Sequence, residues 1–344
     1  MQDIWDAVAE WTREGRKFAL ARVIKTWGSA PRSAGAAMIV GEDMKVAGSV
    51  SGGCIEGAVI EEAQQVLESG EARQLSYGVD DEKAWSVGLS CGGEVQVLVE
   101  KHLAFAEEKA RSIWRALEEA VEGNQPAILL TRLQPAVEVH LLVYPDGGVV
   151  GDWGAQREKA VEVALESYAG RKNQVAELGE EAVFVQVFPR RDQLLIIGAG
   201  HITIPLVQFA ASLGFETSVI DPRQVFASIE RFKVAPHQLF SQWPGEVLSG
   251  LDLTDDTYAV LLTHDPKIDD EALHVLLRTP VAYIGALGSR KTHAKRVERL
   301  REAGFSTAEI ERIKGPAGLD IRAKAAAEIA LSIMAEIVAS KRSR

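Results

Sequence analysis

The chain has 344 residues, more than one hydrophobic core usually organises, so we expect two domains. Apolar residues make up 47% of the sequence and charged residues 25%, which is typical of a globular protein and excludes a disordered chain. The formal net charge of −11, with no long basic run, argues against a nucleic-acid partner. The acidic N-terminus is unlike a signal peptide, and no apolar run would span a bilayer, so we expect a cytoplasmic protein without membrane contact.

The first half of the chain mixes helical and strand patterns. Apolar residues at helical spacing, followed by Gly15, predict a helix over residues 3–14. Further predicted elements are a strand at 18–27, a hairpin at 36–40 and 46–49, a helix at 54–69, a strand at 94–99, a helix at 105–122, strands at 128–133 and 139–143, a helix at 157–168 and a strand at 183–188. They indicate an N-terminal α+β domain over residues 1–189 with no internal repeat.

The second half alternates regularly between strands and helices. Apolar runs at 194–197, 217–220, 258–263 and 281–284 are separated by helical stretches, which predicts a parallel sheet. The Ala-rich tail at 322–341 has apolar residues one helical turn apart, so we expect a helix that packs against a domain. Residues 190–344 are therefore predicted to form a C-terminal Rossmann-like domain, and the fold class is α/β overall.

A glycine turn opens this second domain. Gly198 and Gly200 follow the first strand and fit the two roles of a dinucleotide-binding turn: a tight bend, then close approach of the backbone to a pyrophosphate. The third glycine of the usual fingerprint is replaced by Thr203. Asp221 ends the second strand, where a carboxylate binds a ribose hydroxyl and disfavours a 2′-phosphate. The alternative is a glycine turn that only connects a strand to a helix.

Two other strand ends carry polar residues. Gly288, Ser289 and Arg290 follow a strand, and Ser289 is placed to cap the next helix, which would suit a phosphate. The same residues are also common on protein surfaces without a ligand. His264 lies at the carboxyl end of another strand, the side on which open α/β sheets bind ligands, and is a candidate acid or base. A single histidine there is as often structural.

The two cysteines, Cys54 and Cys91, each lie beside a pair of glycines. Cys54 follows Gly52 and Gly53 and begins the predicted helix at 54–69, a position that favours a thiolate able to meet a soft metal or take part in sulfur transfer. A small buried cysteine is the alternative. Neither cysteine forms a C-x-x-C pair, so zinc ribbons and thioredoxin-like sites are excluded. No histidine is placed near either thiol, which disfavours a cysteine protease.

Several short segments, taken in order, resemble the xanthine dehydrogenase accessory protein family, XdhC/CoxI. The matching segments are residues 28–32 (Gly-Ser-Ala-Pro-Arg), 51–56 (Ser-Gly-Gly-Cys-Ile-Glu), 88–93 (Gly-Leu-Ser-Cys-Gly-Gly), 198–201 (Gly-Ala-Gly-His), 221–223 (Asp-Pro-Arg), 263–265 (Thr-His-Asp), 283–290 (Tyr-Ile-Gly-Ala-Leu-Gly-Ser-Arg) and 318–321 (Gly-Leu-Asp-Ile). The resemblance spans nearly the whole chain, and the order of the segments makes it specific. It adds His201 and Arg223 to the candidate cofactor-binding residues.

The resemblance implies a cytoplasmic maturation factor rather than a catalyst. Such a protein binds the molybdenum cofactor, molybdopterin, and hands it to a molybdenum hydroxylase of the xanthine dehydrogenase type, often after sulfuration, for which a cysteine desulfurase would be a partner. The cofactor's phosphate suits the turns at Gly200 or Ser289, and its sulfur and molybdenum suit a thiolate such as Cys54. A homodimer is the expected oligomer.

Two departures from the family pattern and two rival functions stand beside this interpretation. Arg322 occupies a position where the family usually has glycine, and the segment after it lacks the family's usual Thr-Pro helix start. The glycine turn and Asp221 taken alone would instead predict an NAD-dependent oxidoreductase with NAD or another nucleotide bound. Two thiols in glycine turns favour the cofactor carrier over hydride transfer. A partner-binding subunit with a vestigial pocket is the third possibility.

Overall fold

The computed structural model describes residues 1–28, 30–78, 93–134 and 139–343. These residues form two compact units, Met1–Arg190 and Arg191–Arg344. The first unit is built on antiparallel sheets and the second on a parallel sheet, so the predicted α/β fold class is confirmed.

The first unit opens with helix α1 (Trp5–Arg13) and a five-stranded sheet with the strand order β3-β2-β1-β5-β4. Its strands are β1 (Phe18–Trp27), β2 (Ala37–Gly41), β3 (Val46–Gly48), β4 (Arg73–Tyr77) and β5 (Glu94–Lys101), and α2 (Glu56–Ser69) lies between β3 and β4. Alternate β1 residues, Ala19, Ala21 and Val23, share a core with Val59 and Ala63 of α2. The period of two in β1 and the helical period in α2 therefore bury one face of each element against the other.

The second half of this unit repeats the same topology. Helix α3 (Glu108–Glu122) precedes a sheet with the order β8-β7-β6-β10-β9, and α4 (Arg157–Ala169) lies between β8 and β9. The strands are β6 (Ala127–Arg132), β7 (His140–Val143), β8 (Val149–Val150), β9 (Gln174–Leu178) and β10 (Glu181–Phe188). Among the residues that the structure describes, each half thus runs helix, three strands, helix, two strands, with equivalent antiparallel pairings. The sequence shows no internal repeat, so this repeat is one of topology and is visible only in the structure.

Two details of the first unit differ from the sequence prediction. Helix α2 begins at Glu56 rather than at residue 54, because the preceding residues form a turn that Glu56 itself holds. Strands β4, β8 and β9 were not predicted, since each is short and has at most one buried residue. All three lie at a sheet edge, where a strand has no second neighbour and its apolar alternation is weak.

The second unit is a six-stranded parallel sheet with the order β13-β12-β11-β14-β15-β16. The strands are β11 (Gln193–Ile197), β12 (Glu216–Ile220), β13 (Gln238–Phe240), β14 (Thr257–Leu261), β15 (Tyr283–Ala286) and β16 (Ile313–Lys314). Numbered within the unit, the order is 3-2-1-4-5-6, that of a Rossmann fold. The chain reverses direction across the sheet between β11 and β14, and ligands of such sheets bind beyond the carboxyl ends of those strands.

Helices cover the parallel sheet on both faces. They are α5 (Thr203–Ser212), α6 (Pro244–Leu248), α7 (Pro266–Leu276), α8 (Arg290–Glu302), α9 (Thr307–Glu311) and α10 (Ala326–Arg342). Helix α10 packs on α5, and its buried Ile333 and Ile337 share a core with Leu206 and Val207 of that helix. The prediction that the Ala-rich tail packs against a domain is confirmed.

Candidate functional site

Strand register brings the glycine-rich segments of the first sheet to one end. Strand β1 ends at Trp27, which pairs with Glu94, the first residue of β5. Strand β2 begins at Ala37, and β3 ends at Gly48 beside the start of β2. Strands β1 and β4 therefore end, and β2 and β5 begin, at the same end of the sheet as the turn at 49–55. Cys91 falls between β4 and β5 in the sequence and lies outside the described residues.

The turn before α2 is organised around the carboxylate of Glu56. Its Oε1 accepts hydrogen bonds from the Ser51 N–H at 2.9 Å and the Gly52 N–H at 3.0 Å, and its Oε2 accepts from the Gly53 N–H at 2.9 Å. The hydroxyls of Ser49 and Ser51 also donate to this carboxylate, at 2.7 and 2.6 Å. The Val50 N–H also donates to Oε1, at 3.3 Å, so one side chain fixes four consecutive backbone amides.

These hydrogen bonds set the charge state of Glu56. Burial raises the pKa of this carboxyl, but the donors from Ser51, Ser49 and the backbone outweigh burial and lower the pKa to about 2. Gly52 and Gly53 adopt φ values of +88° and +122°, which other residues rarely reach. The turn therefore requires both the ionised glutamate and the two glycines.

Cys54 lies in this turn, two residues before α2. Its N–H donates to Ser51 Oγ at 3.1 Å, and its partly buried side chain packs against the core under α2. Because the helix begins at Glu56, the thiol is in the capping turn rather than in the first helical turn that the sequence predicted. A Cβ added to Gly53 would meet no atom within 4 Å, so the chain beside Cys54 is open.

The predicted glycine turn of the second unit follows β11. Gly198 has φ +103°, and a Cβ there would lie 2.6 Å from Thr263 Cγ2 at the end of β14. Gly200 has open space where a Cβ would be. Thr203, at the third fingerprint position, is buried and donates from Oγ1 to the Gly198 carbonyl at 2.6 Å. The structure therefore gives Gly198 a packing role and leaves Gly200 accessible.

Asp221 holds the glycine turn from the end of β12. Its buried carboxylate accepts from the Ala199 N–H at 2.8 Å and the Arg223 N–H at 3.0 Å. The Arg223 guanidinium adds two bonds, Nε to Oδ1 and Nη2 to Oδ2, each 2.8 Å. Burial raises the pKa of Asp221, but these hydrogen bonds outweigh it and lower the pKa. The free ribose acceptor expected from spacing is instead a carboxylate with four donors.

The remaining predicted residues lie at neighbouring strand ends. Ser289 caps α8 by accepting from the Thr292 N–H at 3.1 Å, as predicted, and Arg290 is exposed. His201 and His264 are also exposed, each next to a turn at the carboxyl edge. Asp265, not His264, caps α7 through the Lys267 N–H. The parallel sheet therefore brings Gly198, Asp221, His264 and Ser289 to one edge.

A buried polar cluster between the sheets of the first unit was not predicted. Arg22 donates to Glu100 at 2.5 Å, to Thr131 at 3.0 Å and to Gln186 at 3.1 Å. His140 Nε2 lies 3.4 Å from Glu100, and both side chains line a cleft of about 1170 Å³. The sequence signal for this cluster was a charged residue, such as Arg22, at an inward-facing position of an otherwise apolar strand. Within the described ranges, no group of three His, Cys, Asp or Glu side chains is arranged to hold a metal ion.

Comparison with known families decides the relationship. Residues 11–78 match the XdhC and CoxI family, and residues 194–337 match the XdhC Rossmann domain family. The chain belongs to the XdhC/CoxI family. The first match contains the Cys54 turn and the second contains the glycine turn, so both candidate sites lie in family domains.

Individual relatives agree with this XdhC/CoxI assignment. The chain is 26% identical over 340 residues to a probable xanthine dehydrogenase subunit of Bacillus subtilis, covering 98% of this chain and 96% of that protein. It is 26% identical over 324 residues to the molybdenum cofactor insertion chaperone PaoD of Escherichia coli, covering 94% and 83% of the two chains. A crystal structure of a xanthine dehydrogenase from Bacillus halodurans superposes with a TM-score of 0.80 at 27% identity, covering 100% and 97%.

The departure of this XdhC/CoxI chain at Arg322 has a backbone consequence. Arg322 has φ +58°, the left-handed region in which glycine is unstrained. Its N–H donates to Asp320 Oδ1 at 3.2 Å, which closes the turn before α10. The backbone conformation at position 322 thus favours glycine, which is the residue that the family usually has there.

In the described part of this family member, no helix has the length and apolar character needed to cross a membrane.

Proposed function

We propose that this protein binds the molybdenum cofactor as cargo and delivers it to a molybdenum hydroxylase of the xanthine dehydrogenase type. The observation that carries the proposal is the Cys54 turn: a partly buried cysteine in an open glycine loop, within a family domain of a chain that aligns over 94% of its length with a named cofactor insertion chaperone. The protein then acts as an accessory factor, not as the enzyme that oxidises the substrate.

The chemistry of the Cys54 turn fits this cargo. A cysteine thiolate is a soft ligand that suits molybdenum and the sulfur atoms around it. The absence of a Cβ at Gly53 leaves room for a bulky group beside the thiol. Cys91 is proposed as the second thiol. It falls between β4 and β5 in the sequence, and β4 ends and β5 begins at the end of the sheet where the Cys54 turn lies.

The second unit is proposed to hold the phosphorylated end of the cargo. Backbone amides at the start of α5, beside the open Gly200, favour an anion, as do the capped start of α8 and its Arg290. Gly288, Ser289 and His201 complete this edge of the sheet. His264 is proposed as a proton donor or acceptor there.

Sulfuration, partners and oligomer complete the proposal. Cys54 would hold the cofactor during any sulfuration, for which a cysteine desulfurase is the proposed partner. We propose a homodimer that works in the cytoplasm beside its hydroxylase client.

The rival function, an NAD-dependent oxidoreductase, finds less support at Asp221. A carboxylate that binds the ribose of NAD must offer a free oxygen lone pair, and Asp221 already accepts four hydrogen bonds. Ribose binding would first have to displace Arg223. The site is therefore a poor match for the cofactor of that enzyme class.

Cofactor content tests the proposal. The protein is purified from a host that makes the molybdenum cofactor, and molybdenum, pterin and NAD(H) are measured on the same sample. Near-stoichiometric pterin without nicotinamide is the expected result. Bound nicotinamide without pterin would overturn the proposal in favour of an oxidoreductase, with His264 as the residue to mutate.

Two cysteine variants locate the cargo site. We expect Cys54→Ser to reduce retained pterin and molybdenum more than Cys91→Ser does, because Cys54 is fixed by the Glu56 turn. Circular dichroism on both variants checks that they fold. Equal cofactor content in both variants and the parent protein would remove the thiols from the site.

A further inference from the structure

The charge that the Rossmann edge offers to a ligand differs from the charge that its sequence suggests. Asp221 is fully buried and engaged by four donors, so its negative charge is neutralised where it lies. The Arg223 guanidinium covers it, and 42% of that side chain is exposed. A ligand that approaches the end of β12 therefore meets an arginine.

The binding mode of Arg223 leaves one of its edges for a ligand. Its Nε and Nη2 face the two oxygens of Asp221 in a bidentate pair, which fixes the plane of the guanidinium and turns Nη1 away from the carboxylate. The guanidinium carbon also lies 4.5 Å from the centre of the Phe226 ring. An arginine held on two sides in this way gives up little side-chain entropy when it binds an anion.

A second arginine strengthens the same corner. Arg231 donates from Nη1 to the Ala199 carbonyl at 2.6 Å and to the Phe226 carbonyl at 2.7 Å. Its guanidinium carbon lies 5.3 Å from the Phe226 ring. Both backbone groups of Ala199 in the glycine turn are thus held, its N–H by Asp221 and its carbonyl oxygen by Arg231. Asp265, which caps α7, is an acidic group close enough to Arg223 to raise the pKa of its guanidinium, after the larger effect of the hydrogen bond to Asp221.

We propose that this corner selects a phosphate monoester, and that Arg223 is the residue that recognises it. A ribose diol needs a free acceptor, which Asp221 does not provide, whereas a phosphate needs donors, which Arg223 and the open turn at Gly200 do. This reverses the sequence-based expectation that Asp221 disfavours a 2′-phosphate. The monoester belongs either to a 2′-phosphorylated nucleotide or to the cofactor. Only the second case rests on the proposed function.

Two dinucleotides that differ by one phosphate test the nucleotide case. NADPH and NADH are titrated into the full-length protein purified from a host that lacks the cofactor, and binding is followed by nicotinamide fluorescence. For this source, we expect NADPH to bind at least about tenfold more tightly than NADH. Arg223→Met removes the donor and frees Asp221, so the preference should disappear or reverse. Arg223→Lys keeps the charge and should keep a weaker preference.

A matched control lies at the amino ends of β11 and β12, the ends opposite to the glycine turn and Asp221. Arg191 pairs with Glu216 at 3.0 Å, and its side chain is 43% exposed, nearly the same as Arg223. Arg191→Met therefore removes an equally exposed arginine that pairs with a carboxylate, and it should leave the NADPH preference unchanged. Thermal unfolding of all variants confirms that each is folded.

Cofactor retention tests the other source. If the cofactor carries the phosphate, Arg223→Met lowers the pterin content several-fold after purification from a cofactor-producing host, Arg191→Met does not, and neither dinucleotide is preferred. A wild-type protein that prefers NADH, or an Arg223→Met variant that changes neither the dinucleotide preference nor the pterin content, would overturn the inference. A wild-type protein without pterin would contradict the proposed function, and the dinucleotide comparison would still decide the inference.

Discussion

Glu56 and Ser51 are joined by two hydrogen bonds, one to each oxygen of the Glu56 carboxylate. The Ser51 hydroxyl donates to one carboxylate oxygen at 2.6 Å, and the Ser51 N–H donates to the other at 2.9 Å. Ser51 Oγ in turn accepts from the N–H groups of Cys54 and Ile55, each at 3.1 Å. The position of the Cys54 backbone therefore depends on the ionised state of Glu56.

This dependence gives the first unit a defined acid sensitivity. The pKa of Glu56 is about 2 in the folded protein and near 4.5 in the unfolded chain, so the unfolded state binds the proton more tightly. The stabilisation is fully present above about pH 4.5 and is lost as the pH falls from there towards 2. We expect Glu56→Gln to lower the free energy of unfolding at pH 7 by about 1–3 kcal/mol, as measured by urea denaturation.

The control is Glu61→Gln, which neutralises an exposed glutamate of the same helix. That variant should unfold within about 0.5 kcal/mol of the parent protein. Between pH 5 and pH 3, the parent should lose more stability than Glu56→Gln does. Parallel curves for the two proteins would show that the turn does not depend on the charge.

The two glycines of the Rossmann turn should respond differently to substitution. Gly198→Ala adds a methyl group 2.6 Å from Thr263 Cγ2 at a positive φ, so we expect a loss of at least about 2 kcal/mol in the free energy of unfolding. Gly200→Val adds its side chain to open space, so the protein should fold while phosphate-ligand binding falls. Thermal unfolding and ligand titration separate the two effects. Normal ligand binding by a folded Gly200→Val protein would make the turn purely structural.

Arg322 offers a stabilising substitution. Its φ of +58° costs a non-glycine residue about 1 kcal/mol or more, so Arg322→Gly should raise the free energy of unfolding by up to about 1 kcal/mol. Lys324→Gly, two residues away and without a positive φ, should be neutral or destabilising. Urea denaturation of both variants measures the difference. A loss of stability on Arg322→Gly would mean that the arginine side chain makes contacts worth more than the backbone strain.

The buried pair of Arg22 and Glu100 should be costly to break on one side. Glu100→Gln leaves the fully buried guanidinium without its ionic partner, so we expect a loss of about 3–5 kcal/mol. Glu108→Gln breaks exposed pairs with Arg111 and Arg115 on α3 and should cost less than about 1 kcal/mol. Chemical denaturation compares the two. Similar small losses in both variants would show that the stability of the buried cluster does not depend on the negative charge of Glu100.

Much of the fold follows from patterns along the sequence, and what was missed has physical reasons. The strand alternation at 18–27 and the glycine turn at 198–200 fix two of the central strands, because burial on one or both faces imposes a strong pattern. Edge strands such as β4 lack that pattern. The two halves of the first unit share a topology without a visible sequence repeat, since many apolar sequences fill the same core.

The candidate site was predictable in position but not in its bonding. Spacing places Asp221 at the end of a strand, yet it cannot show that Ala199 and Arg223 use both carboxylate oxygens. The same limit applies to Glu56, whose partners depend on the bend of the turn before it. Ser289 was predicted correctly because a helix cap is a local interaction within four residues.

The repeated topology of the first unit supplies an internal reference for the Cys54 turn. The connection from β3 to α2 has a counterpart from β8 to α4, where residues 151–156 read Gly-Asp-Trp-Gly-Ala-Gln and include no thiol. The same arrangement of strands and helices thus appears once with a cysteine in this loop and once without. Grafting the Cys54 turn between β8 and α4 would test whether any activity of the turn depends on the loop alone or on the residues around it. Both settings would then be present in a single polypeptide.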